Sequence, residues 1–258
     1  MLIRNSRIFS FRSLVSRIRS DSNSHSSTML LSSSSTNCPS MPKPHLKGVV
    51  FDMDGTLTVP VIDFTAMHTA VLGREEYSRI KLENPSGIDI LQIIESWPPD
   101  RKSNAYGVIA DYERQGLERL QIMPGAAELC EFLDSRNIRR GLITRNVKGA
   151  VDVFHQRFGK KFSPALSREF RPCKPHPQPL LHIFSTWGFQ PSEVMMVGDS
   201  LKDDVACGKE AGAFTCLLDE LGHSKSHDFD PLNLKPDFIV SSLADVRSLV
   251  EENFDYHN

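Results

Sequence analysis

The chain has 258 residues, 40% of them apolar and 24% charged, with a formal net charge of −2. That is the composition of one ordinary globular domain with room for a modest insertion. It leaves no broad basic field for nucleic acid and no apolar run of the roughly 18 residues a transmembrane helix needs.

Residues 1–44 read as a leader. Arg4, Arg7, Arg12, Arg17 and Arg19 alternate with apolar residues, serine is abundant from Ser20 to Ser40, and Asp21 is the sole acid before Asp52. An Arg-rich, Ser-rich, acid-poor start is that of an organelle transit peptide. The arginines point to a mitochondrion; the serine tract also suits a plastid. A start at Met29 or Met41 would give a cytosolic form. The five cysteines, with no C-x-x-C pair, read as free thiols and neither as a disulfide framework nor as a zinc site.

After the leader, Val49-Val50-Phe51 predicts a buried strand that breaks at Asp52-Met53-Asp54-Gly55-Thr56. Further strands are expected over 138–143, ending at Thr144-Arg145-Asn146, and over 194–197, ending at Gly198-Asp199-Ser200. Two more are expected at 213–218 and 238–240. Apolar spacing predicts helices over 125–136, 147–158, 178–187, 202–211 and 243–253, the last capped by Ser242. Strand–helix alternation implies an α/β fold: a Rossmann-like parallel sheet with helices on both faces. Residues 60–122 fit that alternation poorly. They show helical patterns at 64–72, 88–97 and 105–120, and read as a small helical cap inserted into a core of residues 45–59 and 123–258.

In such a sheet, ligands bind beyond the carboxyl ends of the strands, where three polar loops would converge. Asp52 and Asp54 can face one pocket if the strand end curls at Gly55. One carboxylate can then attack phosphorus while the other transfers protons; alone, Asp-x-Asp-Gly is more often a solvated turn. Asp199, Asp203 and Asp204 crowd a second loop. Like charges 4 Å apart repel by about 1 kcal/mol in water and about 4 at an effective dielectric of 20. A bound cation relieves that, and an all-carboxylate set without Cys or His suits a hard ion such as magnesium. Asp203 and Asp204 can also be simple helix-start acids. Thr144 and neighbouring N–H groups can hold a phosphate oxygen. Lys174, in a segment stiffened by three prolines, can aim an ammonium at a negative centre.

Taken in order, Val49-Val50-Phe51-Asp52-Met53-Asp54-Gly55-Thr56-Leu57-Thr58, Thr144, Lys174 before Pro175, and Val197-Gly198-Asp199-Ser200 with Asp203-Asp204 resemble the four motifs of the haloacid dehalogenase-like hydrolases over about residues 46–250. The resemblance implies a magnesium-dependent phosphatase acting on a small phosphorylated metabolite. Asp52 would be the nucleophile and Asp54 the acid/base. Thr144 and Lys174 would hold the phosphoryl group, with Arg145 and Asn146 beside it. Mg2+ would lie on Asp52, Asp54 (through its carbonyl), Asp199 and Asp203, with Asp204 the alternative to Asp203. Asp at position 54 argues against a dehalogenase, which needs no leaving-group acid. A phosphomutase remains the alternative, and a non-catalytic binding protein a weaker one. Within the cap, Arg74, Lys81 and Arg101 are candidate contacts for a second anion, with a solvated helix face the commoner reading. Cys173, next to Lys174, is a candidate redox-sensitive thiol. His176 and His182 are expected to be structural or exposed.

Overall fold

The computed structural model describes residues 42–84, 87–222 and 234–256. The transit-peptide reading, and the localisation that rests on it, therefore lie outside the described residues. The first strand, β1 (Gly48–Phe51), is buried at every position, as a short apolar strand covered on both faces must be. It joins β2 (Arg139–Ile143), β3 (Ala165–Leu166), β4 (Val194–Gly198), β5 (Phe214–Leu218) and β6 (Phe238–Val240) in one sheet, ordered β3-β2-β1-β4-β5-β6. All five pairings are parallel.

Four helices, α1 (Phe64–Leu72), α2 (Arg74–Glu83), α3 (Ile90–Glu95) and α4 (Pro99–Glu118), make up the helical segment that follows β1. The remainder are α5 (Ala126–Ser135), α6 (Lys148–Phe158), α7 (Gln178–Trp187), α8 (Ala206–Ala211) and α9 (Leu243–Asn253). Strand residues alternate between the two faces. Val49, Phe51, Met195 and Val197 pack with α5, α6 and α9. Val50 and Met196 pack with α7 and α8, chiefly Leu180, Ile183, Trp187 and Cys207. The α1–α4 segment has its own small core around Met67, Ile80, Ile94, Ala105 and Ile109.

Three details depart from the expected elements. β3 is only two residues long, too short to show a period. α2 was not foreseen because Ile80 is its one buried residue; surface ion pairs of Arg79 with Glu76 and Glu83 help hold it. The stretch 202–211 is not one helix: a π-helical turn, Leu201–Val205, precedes α8. Residues 42–44, grouped with the leader by composition, run beside the chain's end. The Asp255 N–H donates to the Pro44 carbonyl at 2.9 Å.

Candidate active site

The loops after β1, β2, β3 and β4 meet at the carboxyl edge of the sheet. Asp52 directly follows β1, its N–H donating to the Val197 carbonyl at 2.9 Å. The chain then folds back sharply: Met53 O accepts from the N–H groups of Leu57 and Thr58, each at 2.9 Å. Gly55 makes this turn possible. Its φ is +84°, and a Cβ there would lie 2.2 Å from Asp199 Oδ2, so side chains are excluded on conformational and steric grounds alike.

Lys174 reaches in from the loop after β3. Its Nζ lies 2.5 Å from Asp52 Oδ1 and 2.6 Å from Asp204 Oδ1, and the whole residue is 3% exposed. The two carboxylates hold its ammonium charged, raising its pKa against the opposing pull of burial. The Asp204 side chain is fixed by the Ser200 N–H, 3.0 Å from its second oxygen. Gly198 gives way to it, since a Cβ there would lie 2.2 Å from its carboxyl carbon.

Carboxylate oxygens of Asp52, Asp199 and Asp204 all lie within 4.8 Å of one another. Burial, then the neighbouring acids, push their pKa values up against the pull of Lys174. Asp204 rises to about 7 and Asp52 rises as well. Asp199 is raised too, to about 8, but it opens onto the cavity, where water tempers the effect. Asp54 is likewise raised, by burial first, with the Asn146 amide pulling the other way. That amide donates to Asp54 Oδ2 at 3.1 Å, while Thr144 Oγ1 accepts from the Asn146 N–H at 3.0 Å. The Thr144 hydroxyl in turn faces Asp54, whose pKa it helps to pull down.

This constellation opens into a cavity of about 420 Å3 that residues of α1, α2, α3 and α4 also line. Asp52, Asp54, Thr144, Arg145, Asn146, Lys174, Asp199 and Asp203 all line it. Two of them sit otherwise than expected. Asp203 turns to the Arg145 guanidinium, with both carboxylate oxygens within 3.1 Å, and Asp204 takes its place beside Asp52. Successive side chains on a helical turn point in different directions, and of the two adjacent acids it is Asp204 that faces Asp52. Arg145 also binds Asp89, the N-cap of α3, at 2.5 Å. It thus spans core and cap instead of standing free.

A family model for haloacid dehalogenase-like hydrolases matches residues 46–212. The chain belongs to this family. Among members of this hydrolase family, a haloacid dehalogenase-like hydrolase domain-containing protein of Arabidopsis thaliana is 67% identical over 222 residues, 86% of this chain and 91% of that one. An uncharacterized hydrolase of Saccharomyces cerevisiae is 37% identical over 213 residues, 80% and 92% of the two chains. A crystal structure of a predicted phosphoglycolate phosphatase from Haemophilus somnus shares the fold. Its TM-score is 0.58 at 21% identity, covering 80% of this hydrolase and 98% of that chain.

Several residues of this hydrolase escaped sequence reading. Glu113 of α4 pairs with Arg168 at 2.5 Å, the two side chains 11% and 13% exposed. A signal was available: Glu113 lies one turn beyond Ala105 and Ile109 on an otherwise apolar stripe. His68 and Tyr77 line the cavity without any motif. Of the cap cations considered, Lys81 lines it, whereas Arg101 stacks on Trp97 at 3.5 Å. His176 accepts from the Gln178 N–H, and His182 packs on Phe170. The Cys173 sulfur accepts from Arg171 at 3.6 Å.

Proposed function

We propose that this hydrolase is a magnesium-dependent phosphatase that hydrolyses a small phosphorylated metabolite through an aspartyl phosphate on Asp52. The observation that carries the reading is the position of Lys174, clamped between Asp52 and Asp204 beside an Asp54 that burial favours in its protonated form. A nucleophile, a fixed cation and a poised acid are what phosphoryl transfer requires.

The chemistry then follows. An Asp52 oxygen attacks phosphorus, and the bond from phosphorus to the ester oxygen breaks. Asp54 gives its proton to that departing oxygen, made possible by its raised pKa. Water next attacks the phosphorus of the acyl phosphate, and Asp54, now ionised, takes the water's proton. The bond between phosphorus and the Asp52 oxygen breaks, releasing inorganic phosphate and restoring both carboxyl groups. The Thr144 hydroxyl and the Lys174 ammonium stabilise charge on the phosphoryl oxygens. Asn146 holds Asp54 in place.

Three buried or cavity-facing carboxylates within 4.8 Å, with no Cys or His among them, match a hard divalent cation. Asp52, Asp199 and Asp204 would hold it, together with the Asp54 carbonyl. When bound, magnesium supplies positive charge to the transferring group and offsets the repulsion among the acids.

The test is phosphate release by the full chain from a panel of phosphomonoesters, with and without Mg2+. Release is expected to require the ion and to fall at least about 10^4-fold in Asp52→Asn, as for loss of a covalent nucleophile. Turnover undiminished in Asp52→Asn would reject the reading. An isomerised ester in place of inorganic phosphate would make the enzyme a mutase.

A further inference from the structure

We propose that the α1–α2 hairpin carries a leaving-group subsite in which Lys81 and His68 bind a carboxylate at the far end of a substrate with a flat, apolar body. This names the substrate class of the phosphatase and rests on that reading.

The cavity's size is the first observation. About 420 Å3 falls within the ~300–1,000 Å3 of pockets that enclose whole small molecules. A phosphoryl group on the strand ends leaves much of that space to the leaving group. Much of the wall around it is apolar, from Ile62, Met67, Ile88, Ile90 and Ile109, with Thr65, Tyr77 and Asp89 as polar exceptions beside His68 and Lys81. A polyhydroxylated body would lose water along the apolar stretch with few hydrogen bonds in return.

The hairpin supplies rings. Phe64 and His68 stand one turn apart on α1, and Tyr77 and Lys81 one turn apart on α2. The Phe64 and His68 rings are 6.2 Å apart, and those of His68 and Tyr77 6.5 Å. All four residues line the cavity. Phe64 is 48% exposed, so a planar group laid against it removes apolar surface from water.

Charge supplies the last element. Three strong cations line the cavity: Lys174, Arg145 and Lys81. Lys174 is matched by Asp52 and Asp204, and Arg145 by Asp89 and Asp203. Lys81 has no carboxylate partner among the described residues, whereas its helix neighbour Arg79 has two. Burial and the charge of Lys81 lower the His68 pKa against the pull of Asp89, so the neutral ring can donate one hydrogen bond without adding charge. One ammonium and one ring N–H suit a singly charged carboxylate. A second phosphate more often meets an arginine fork or a helix N-terminus.

Three esters of primary alcohols, tested on the full chain with Mg2+, decide the matter: benzyl phosphate, 4-carboxybenzyl phosphate and glucose 6-phosphate. The carboxybenzyl ester is expected to exceed the benzyl ester in kcat/KM by about tenfold, through KM, as one charge-assisted hydrogen bond provides. Glucose 6-phosphate should be the poorest of the three. Lys81→Met should erase the preference for the carboxylate, and Lys81→Arg should retain it. Equal kcat/KM for the two benzyl esters, an equal loss on both in Lys81→Met, or a preference for glucose 6-phosphate would overturn the subsite while the phosphatase stands. No Asp52-dependent turnover of any of the three would overturn the phosphatase reading and the subsite with it.

Discussion

In the cap, Arg79 lies 2.6 Å from Glu76 and 2.9 Å from Glu83, with 56% of its side chain in water. At the strand ends, Lys174 lies 2.5 Å from Asp52 and 2.6 Å from Asp204, with 2% of its side chain exposed. The contact distances are alike, and the consequences are not. Water screens the first set, so each exposed pair contributes only about 0.2–1 kcal/mol. The second set has left water behind, which costs several kcal/mol per ion and is offset only while every partner remains. Between the two stand Arg168–Glu113 and the pairs of Arg145, partly buried where core meets cap. One chain thus uses the same chemical pair as surface decoration, as a clasp and as the buried clamp of the candidate active site, and burial sets which.

The contrast is sharpest at Lys174. Lys174→Ala strands two buried carboxylates and is expected to destabilise the protein by about 3–5 kcal/mol, measured by urea unfolding, while removing nearly all turnover. If the loss were as small as for a surface lysine, the strand-end cluster would be better solvated than its burial implies.

Next in size is the effect of the ion and of pH. Asp204 titrates near the ordinary 3.8 when unfolded and at about 7 when folded, so the ion-free native state binds more protons between those values. By linkage, its stability is full below the unfolded pKa and declines as pH rises toward 7. On the proposed reading, magnesium would have to displace those protons. The Mg2+-induced rise in Tm is therefore expected to be large at pH 8 and small at pH 5.5, read by thermal melts at fixed ion concentration. An equal rise at both would break the link between the acid cluster and the cation.

Arg168→Ala comes third. It leaves Glu113 half-buried without its partner, and a loss of about 2 kcal/mol is expected, between the values for exposed and fully buried pairs. Arg79→Ala should be smallest, within about 0.5 kcal/mol in the same urea assay. Reversal of these last two would mean that the cap surface, and not the interface, holds the cap together.

The strands and their polar ends were legible because each is a short apolar run cut off by Asp, Thr or Gly, as at Phe51-Asp52 and Ile143-Thr144. Asp52 and Asp54 were legible as a motif. The choice between Asp203 and Asp204 was not, since both are adjacent acids at a helix start and the difference lies in which way a π-helical turn rotates them. α2 was hidden because a charged surface helix carries little apolar period. Arg145 is legible as a residue beside the phosphoryl group, but nothing local reveals its pairing with Asp89, 56 residues away in sequence.

Local patterning by itself determined the α/β core, the helical insertion after β1 and the residue types at the strand ends, because buried runs, turn residues and spacing depend only on neighbours along the chain. Tertiary structure alone decided which acids share a cluster, which cations are neutralised and which is left facing the cavity. Those depend on through-space distances of a few ångströms and on exclusion of water, and both are properties of the assembled fold.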